Sequence, residues 1–423
     1  MNLHDFAQHF SLPSLTVDFI RQYGFEEIAC RLEEVPVFLQ TEFIRTQLAK
    51  LRFDIDVQSL LQAAELLKHD RFALSLINYL VYYWFERTGI MHYGCDLPDF
   101  EKSAMYSDQA GAYYLLAALS SFPIIEKKFA GLGIPEQYAL DNFQYTAGAL
   151  AEYAAGHDGK LGIAARKLHW YSFYTRGILF RIGRLEFMYQ PPLDYLPAAY
   201  RRKSDGKVIA LCRDNWLLSS DGLRLFADDP SEKIAVSAKL LSTDQTITGI
   251  PINPAGFAEI NRRVTLNLND FAPLWSQWDI VPGVHIPGGG GMTPELCCES
   301  LHQAIAFFER YFQKHVAGFS CFSWIFNPDF EAELPESNLA AFMRQLYLFP
   351  FQSTGSEGLI FVFGKNDTDW SRYPADNSLR RAFHRLRTAG KRLKAGGMFI
   401  ERRGLENFHQ SIYRHDYESL RDL

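Results

Sequence analysis

The sequence predicts an α+β protein, with an N-terminal α-helical domain followed by a mixed β-sheet domain flanked by helices. Three observations carry this. Apolar residues recur at helical spacing up to about residue 165. Short alternating runs separated by Asp-Gly turns take over from Ile178. Residues 279–295 then read as a strand, four glycines and a helix start. A chain of 423 residues exceeds what one hydrophobic core usually supports, so two or three domains are expected.

In the first part, Asp56 is placed to cap a helix carrying Leu60, Leu61, Ala64 and Leu67, and Asp70 to cap the next, Arg71 to Arg87. Gln109 to Ser120 is rich in Ala, Leu and Tyr. Pro135 opens a helix that ends near Gly156, and a further helix covers Ile163 to Thr175. The most apolar stretch, Phe72 to Phe85, contains Asn78 and is too short to span a bilayer. No chemistry is apparent in this half.

From Ile178 the pattern changes. Ile178, Phe180 and Ile182 alternate, and the phase slips at Gly183 to Leu185, Phe187 and Tyr189, which predicts a bulge or bend at the glycine. Lys203 to Lys207 and Ser219 to Gly222 contain Asp-Gly turns of the hairpin kind. Strands are expected at Ile247–Ile252, Arg263–Leu268 and 279–286, then a helix at 294–313. A strand over Phe319 to Phe326 and a helix over Ser337 to Leu346 follow. Two strands, Tyr347 to Phe351 and Leu359 to Phe363, a basic helix from Ser378 to Lys394 and a short strand at Met398–Glu401 complete the order.

The segment at 279–295 is the most informative. Ile280, Val281, Val284 and Ile286 form an apolar strand that runs into Gly288, Gly289, Gly290 and Gly291. Thr293-Pro294-Glu295 then supplies an N-cap, a first-turn proline and an acid. A side-chain-free loop before a helix N-terminus can cradle a phosphate, because backbone approaches closely and N–H groups point at the anion. No Lys-Ser/Thr follows the glycines and no Gly-x-Gly-x-x-Gly is present, which excludes a P-loop and a dinucleotide fingerprint.

Composition narrows the classes further. Hydrophobic residues make up 48% and charged residues 22%, as in globular proteins. A net charge of −6 argues against a dedicated nucleic-acid binder. The start, Met1 to Phe6, has no basic region followed by an apolar run, so no signal peptide and a cytoplasmic location are expected. The cysteines at 30, 95, 212, 297, 298 and 321 form no Cys-x-x-Cys pair, and no histidine pair has zinc-ligand spacing. They read as reduced thiols, and no metal is expected.

The order of elements, antiparallel strands, then strand–glycine loop–helix, then strand–helix–strand–strand, resembles the GNAT N-acetyltransferase fold. The words are similar to those of acyltransferase-domain proteins with an N-terminal helical N-acyltransferase domain and a GNAT-like C-terminal domain. The residues that carry the likeness are Gly183 to Phe187, Gly249 to Ile252, Val284 to Pro287 with the glycines, Cys321 to Trp324, Ser337-Asn338, Phe361 to Gly364 and Ser378 to Arg381. The resemblance implies a helical domain at 1–165, a GNAT-like acyltransferase domain at 166–403 and a C-terminal tail at 404–423. It also implies that the loop after the fourth strand binds the pyrophosphate of acyl-CoA, with pantetheine between splayed strands. The binding residues would be Val284, Ile286, Gly288, Gly289, Gly290, Gly291, Met292, Thr293 and Asn338. Two departures stand out. The loop lacks the usual Arg or Gln, and the family's tyrosine position, seven after Asn338, is Gln345, with Tyr347 two residues later.

His285 lies on the opposite strand face from Val284 and Ile286. Acyl transfer to an amine needs a base for the ammonium proton, and an imidazole titrating near neutrality suits it; the alternative is a strand-end histidine bonded to backbone. Cys321 and Ser323 share one face of the next strand and line the pantetheine channel, orient the acyl carbonyl, or pack in the core. No Gly-x-Ser-x-Gly elbow exists, so direct attack is expected rather than an acyl-enzyme. Seven Lys or Arg residues between Arg380 and Lys394 form a solvated face, cations for the coenzyme 3′-phosphate, or a nucleic-acid dock, the last disfavoured by the acidic chain.

The expected activity is therefore acyl-CoA-dependent N-acyl transfer, with acetyl as the expected acyl group. Acyl-CoA is a co-substrate and no cofactor is permanently bound. The acceptor is a small-molecule or peptide amine, with no nucleic acid and no membrane, and the chain is compatible with a homodimer. The alternative is a non-catalytic sensor or scaffold that binds CoA or another anion.

Overall fold

Local capping decides where the first helices begin. In the computed structural model, which describes residues 1–30, 34–92, 96–228, 232–367 and 369–423, Asp56 accepts N–H bonds from Gln58 (3.0 Å) and Ser59 (3.2 Å) at the start of α1 (Val57–His69). Asp70 does the same for Phe72 (2.9 Å) and Ala73 (3.1 Å) at the start of α2 (Arg71–Val81). The helix predicted to run to Arg87 changes its winding at Val81 and continues as one π-helical segment, Tyr82–Glu86. α3 (Ala110–Gly131) runs well past the expected end, contains Pro123 and is buried on all sides through its first half, as an all-round apolar helix must be. Shorter helices at Glu136–Phe143, Tyr145–Gly156 and Leu168–Thr175 follow. No helix among the described residues is long and apolar enough to cross a membrane. Cys95 lies outside the described residues.

Contacts divide the chain into two units, Met1–Arg181 and Ile182–Leu423. The boundary falls at the end of β1 (Leu179–Ile182). The phase slip at Gly183 is a two-residue hairpin turn, with Gly183 at φ 62°, leading into β2 (Leu185–Met188). The later strands are β3 (Gly283–His285), β4 (Gly318–Ser323), β5 (Tyr347–Pro350) and β6 (Gly396–Glu401). They form a six-stranded mixed sheet in the order β1-β2-β3-β4-β6-β5. The β3–β4 pair is parallel, whereas β2–β3, β4–β6 and β5–β6 are antiparallel.

Between β2 and β3 the chain builds smaller sheets. One has five strands, in the order Phe257–Ala258, Pro251–Asn253, Val208–Leu211, Ala198–Arg202, Phe271–Pro273. Another pairs Val264–Asn267, Thr246–Gly249 and Leu241–Ser242. The single strand expected over Ile247–Ile252 is thus two strands in different sheets. Pro251 has no N–H for a continuous ladder, and the chain changes sheet there. Tyr200, Ile209, Leu211, Val264, Leu266 and Phe271 bury together with Tyr417 of the C-terminal helix Ile412–Ser419.

Helix α4 (Pro294–Phe312) covers one face of the six-stranded sheet. Its buried positions Cys297, Ser300, Leu301, Ala304, Phe307 and Phe308 follow helical spacing, and Phe308 packs on Tyr189 of the β2 side (5.9 Å between centroids). Each fully buried Leu or Phe of that stripe contributes about 1.5–3 kcal/mol. Further along, α5 (Asn338–Met343) begins one residue late, after its cap Ser337. Leu359–Phe363, expected as a strand, is a short helix, α6. Gly358 and Gly364, both left-handed at φ 90° and 75°, bracket it, and only Leu359 is buried. The basic helix, α7 (Ser378–Thr388), stops earlier than predicted because Gly390 turns left-handed (φ 67°) and the Lys391 N–H bonds back to Leu386.

Candidate functional site

The site is built where β3 leaves β4. The Ser320 N–H donates to the Pro282 carbonyl (3.1 Å), and Gly283 pairs with Ser320, but no further β3–β4 register partner follows. β4 continues to Ser323 against β6, and β3 continues to His285 against β2. Alternation along β3 directs the groups at 282, 284 and 286 toward β4. Past Gly283, the edge of β3 that presents the Val284 carbonyl and the Ile286 N–H therefore runs beyond the β4 ladder.

The glycine loop follows at the end of β3. Gly288 to Gly291 are exposed, and Gly289 and Gly290 are both left-handed (φ 74° and 71°), a pair of conformations that side chains rarely adopt. Met292 is half-buried, and Thr293 caps α4 by accepting the Leu296 N–H at 3.3 Å. The loop is clamped from outside. Arg184, in the β1–β2 turn, donates its Nε–H to the Gly291 carbonyl (2.9 Å), and its own N–H donates to the Ser300 hydroxyl on α4 (2.6 Å). Asn338 is exposed at the first turn of α5, where Ser337 is the cap.

Register sorts the candidate side chains onto two faces. Gly283 pairs with Ser320 and His285 with Glu186, so Glu186, His285, Ser320 and Phe322 lie on one face. Phe187, Val284, Phe319, Cys321 and Ser323 lie on the other, the face that carries α4; Phe187 and Phe319 touch there (5.3 Å). The structure thus brings His285 together with Glu186 and separates it from Cys321 and Ser323. Burial lowers the His285 imidazole to about 4, well below the neutral titration expected from its residue type. Burial likewise pushes the Cys321 thiol up to about 12, so it stays protonated. Ser323 accepts the Ile325 N–H (3.3 Å) and opens the single turn that ends the strand three residues before the predicted Phe326.

On the His285 face, the Tyr195 hydroxyl meets Ser320 Oγ at 2.8 Å, and its ring abuts Phe322 (5.1 Å), which stacks on Phe351 (4.6 Å). Burial raises Tyr195 to about 12, which keeps its proton in place. Tyr347, by contrast, is fully buried on β5. Its hydroxyl donates to the Ile252 carbonyl (2.6 Å) and accepts the Ala210 N–H (3.0 Å), a structural role inside the five-stranded sheet.

Most of the basic run is held in ion pairs. Arg380 bonds Asp376 (2.8 Å), Arg385 bonds Glu333 (2.8 Å), Arg387 reaches Asp369 (3.5 Å), and Lys391 and Lys394 both reach the buried Asp329 (3.1 and 2.7 Å). These contacts are those of a solvated, ion-paired face. No cluster of three or more His, Cys, Asp or Glu side chains suited to a metal occurs among the described residues. The neighbours of the candidate residues that the sequence alone does not point to are Arg184, Glu186, Tyr195 and Ser320. The first two stand inside the Gly183–Phe187 segment, whose composition alone gives no hint of what lies across from it.

Comparison with known proteins agrees with this architecture. Residues 179–400 match the GNAT-like C-terminal domain family. No curated protein sequence matches the chain. Among solved structures it resembles an acyltransferase in complex with decanoyl-CoA and teicoplanin, at 19% identity and a TM-score of 0.60, over 95% of this chain and 99% of that one. It also resembles an acyltransferase in complex with CoA and 10C-teicoplanin, at 19% identity, a TM-score of 0.61 and the same coverage. At this identity the likeness carries the fold, a helical region followed by a mixed sheet with flanking helices.

Proposed function

The chain belongs to the GNAT-like C-terminal domain family, and from that premise we propose that it is an acyl-CoA-dependent N-acyltransferase. The observation that carries the reading is the parting of β3 from β4 after Gly283, directly before a glycine loop and a capped helix N-terminus. The CoA pyrophosphate lies on Gly288–Gly291 with Met292 and Thr293, and pantetheine enters the gap along the backbone of Val284 and Ile286. The transfer machinery falls within residues 166–403.

The amine attacks the thioester carbonyl from the face of His285. Burial holds the imidazole near 4, so it is neutral at physiological pH; a base that weak accepts the proton from the acidic N–H of the tetrahedral intermediate and not from the free ammonium. Glu186, buried directly across the strand pair, stabilises the imidazolium as it forms. The Ile286 N–H, on the gap edge of β3, is placed to hold the oxyanion. Collapse of the tetrahedral intermediate breaks the C–S bond and releases CoA as the thiolate, which takes up a proton. Cys321 and Ser323, on the opposite face, pack rather than react, so no acyl-enzyme forms.

The acceptor is an amine, and the acyl group ranges from the expected acetyl to the longer chains bound by the similar structures. Thiol release from acetyl-, octanoyl- and decanoyl-CoA across a panel of amines tests the activity. Turnover with at least one pair supports it. Tight CoA binding without turnover on any pair leaves a non-catalytic binder, and no binding at all removes the reading.

A further inference from the structure

The glycine loop has no cation of its own, and Glu295 in the first turn of α4 adds a negative charge beside it. A helix N-terminus is equivalent to roughly half a positive charge, so with Glu295 alone an incoming pyrophosphate meets a net negative field. The structure brings in the missing charge from far away in the sequence. Arg184 holds the Gly291 carbonyl through Nε at 2.9 Å, and the same nitrogen lies 3.7 Å from the point where a side chain on Gly290 would begin. The turn that presents it is fixed to α4. The Arg184 N–H bonds Ser300 Oγ (2.6 Å), and Gly183 at φ 62° has that oxygen 2.7 Å from where its own Cβ would stand. The charge is felt at the helix start. Burial raises the Cys297 thiol to about 11, Arg184 draws it down, and Glu295 pushes it up.

We propose that Arg184 is the pyrophosphate-binding cation of this site, standing in for the Arg or Gln absent from the loop. The inference rests on the acyl-CoA reading above. It makes donor recognition depend on a phosphate-bearing carrier, because a guanidinium fixed beside the loop rewards phosphate oxygens and adds nothing for pantetheine alone.

Isothermal titration of the full chain with CoA and with acyl-pantetheine, which carries no phosphate, tests this. Arg184→Gln keeps a donor for Gly291 and removes the charge; Arg184→Lys keeps the charge. The expected result is a loss of CoA affinity of about 10- to 100-fold in Arg184→Gln, a smaller loss in Arg184→Lys and unchanged acyl-pantetheine binding in both. Wild-type CoA affinity in Arg184→Gln overturns the assignment. So does an equal loss for acyl-pantetheine, which marks collapse of the loop. If the wild-type chain binds acyl-pantetheine but not CoA, the phosphate site itself is wrong. If it binds neither, the acyl-CoA reading fails before Arg184 is in question.

Discussion

Tyr347→Phe separates a structural tyrosine from a chemical one. The side chain falls two residues past the position where the family's tyrosine would stand, yet its hydroxyl is built into a sheet. Ala210 and Ile252 are register partners, and the hydroxyl sits between them, accepting from the Ala210 N–H at 3.0 Å and donating to the Ile252 carbonyl at 2.6 Å. Phenylalanine keeps the stacking on Phe399 (4.7 Å) and the edge contact with Tyr413 (5.5 Å), so only the two hydrogen bonds are lost. Each orphaned buried group costs about 1–3 kcal/mol. Two of them cost roughly 2–6 kcal/mol if nothing moves, and direct closure of the two strands would recover about 1 kcal/mol. We expect a net loss of about 2–4 kcal/mol, or roughly 5–12 °C in Tm for a unit of this size. Calorimetry on the full chain, with thiol release measured at 20 °C, provides the assay. The expected result is a lowered Tm with turnover within about twofold of wild type. An unchanged Tm with turnover abolished would mean that the hydroxyl acts on substrate and not on the sheet.

The remaining predictions concern His285 and its surroundings. His285→Ala should lower kcat by about 10²- to 10⁴-fold, the usual worth of a positioned base, whereas Cys321→Ala should leave kcat nearly unchanged; equal losses in the two variants would contradict the face assignment. Acid should also destabilise the protein through His285. Its folded pKa of about 4 lies below the unfolded value of about 6.5, so the unfolded chain takes up the proton first. Stability from this group is full above about pH 6.5 and is lost as pH falls toward 4, by about 3 kcal/mol. Urea melts at stepped pH should show a shallower slope over that window in His285→Gln than in wild type; parallel slopes would rule out the buried imidazole as their source.

Legibility followed the range of the interactions. The caps Asp56, Asp70 and Thr293 were readable because a cap and the N–H groups it serves lie within three residues of each other. The strand–glycines–helix order was readable for the same reason. Leu359–Phe363 misled because a five-residue apolar run has no clear period; the left-handed glycines at its two ends decide the outcome. The alternation of Val284, His285 and Ile286 was visible, but not which face His285 shares with β4. That depends on one register pair, Gly283 with Ser320, and it sets Cys321 on the face opposite His285. The Arg184 contact with Gly291 spans 107 positions, and no local pattern encodes it.

The acyl-CoA site is tested most directly by the melting temperature of the full chain with CoA and decanoyl-CoA, because a ligand that binds the native state must stabilise it. At about a hundred times its Kd, a ligand adds roughly 2.7 kcal/mol, so the strand-rich unit should melt about 5–10 °C higher. Adenosine, which lacks both pyrophosphate and pantetheine, should leave it unmoved. A Tm that stays constant up to millimolar CoA would contradict the assignment of Gly288–Gly291 and the β3–β4 gap as an acyl-CoA site.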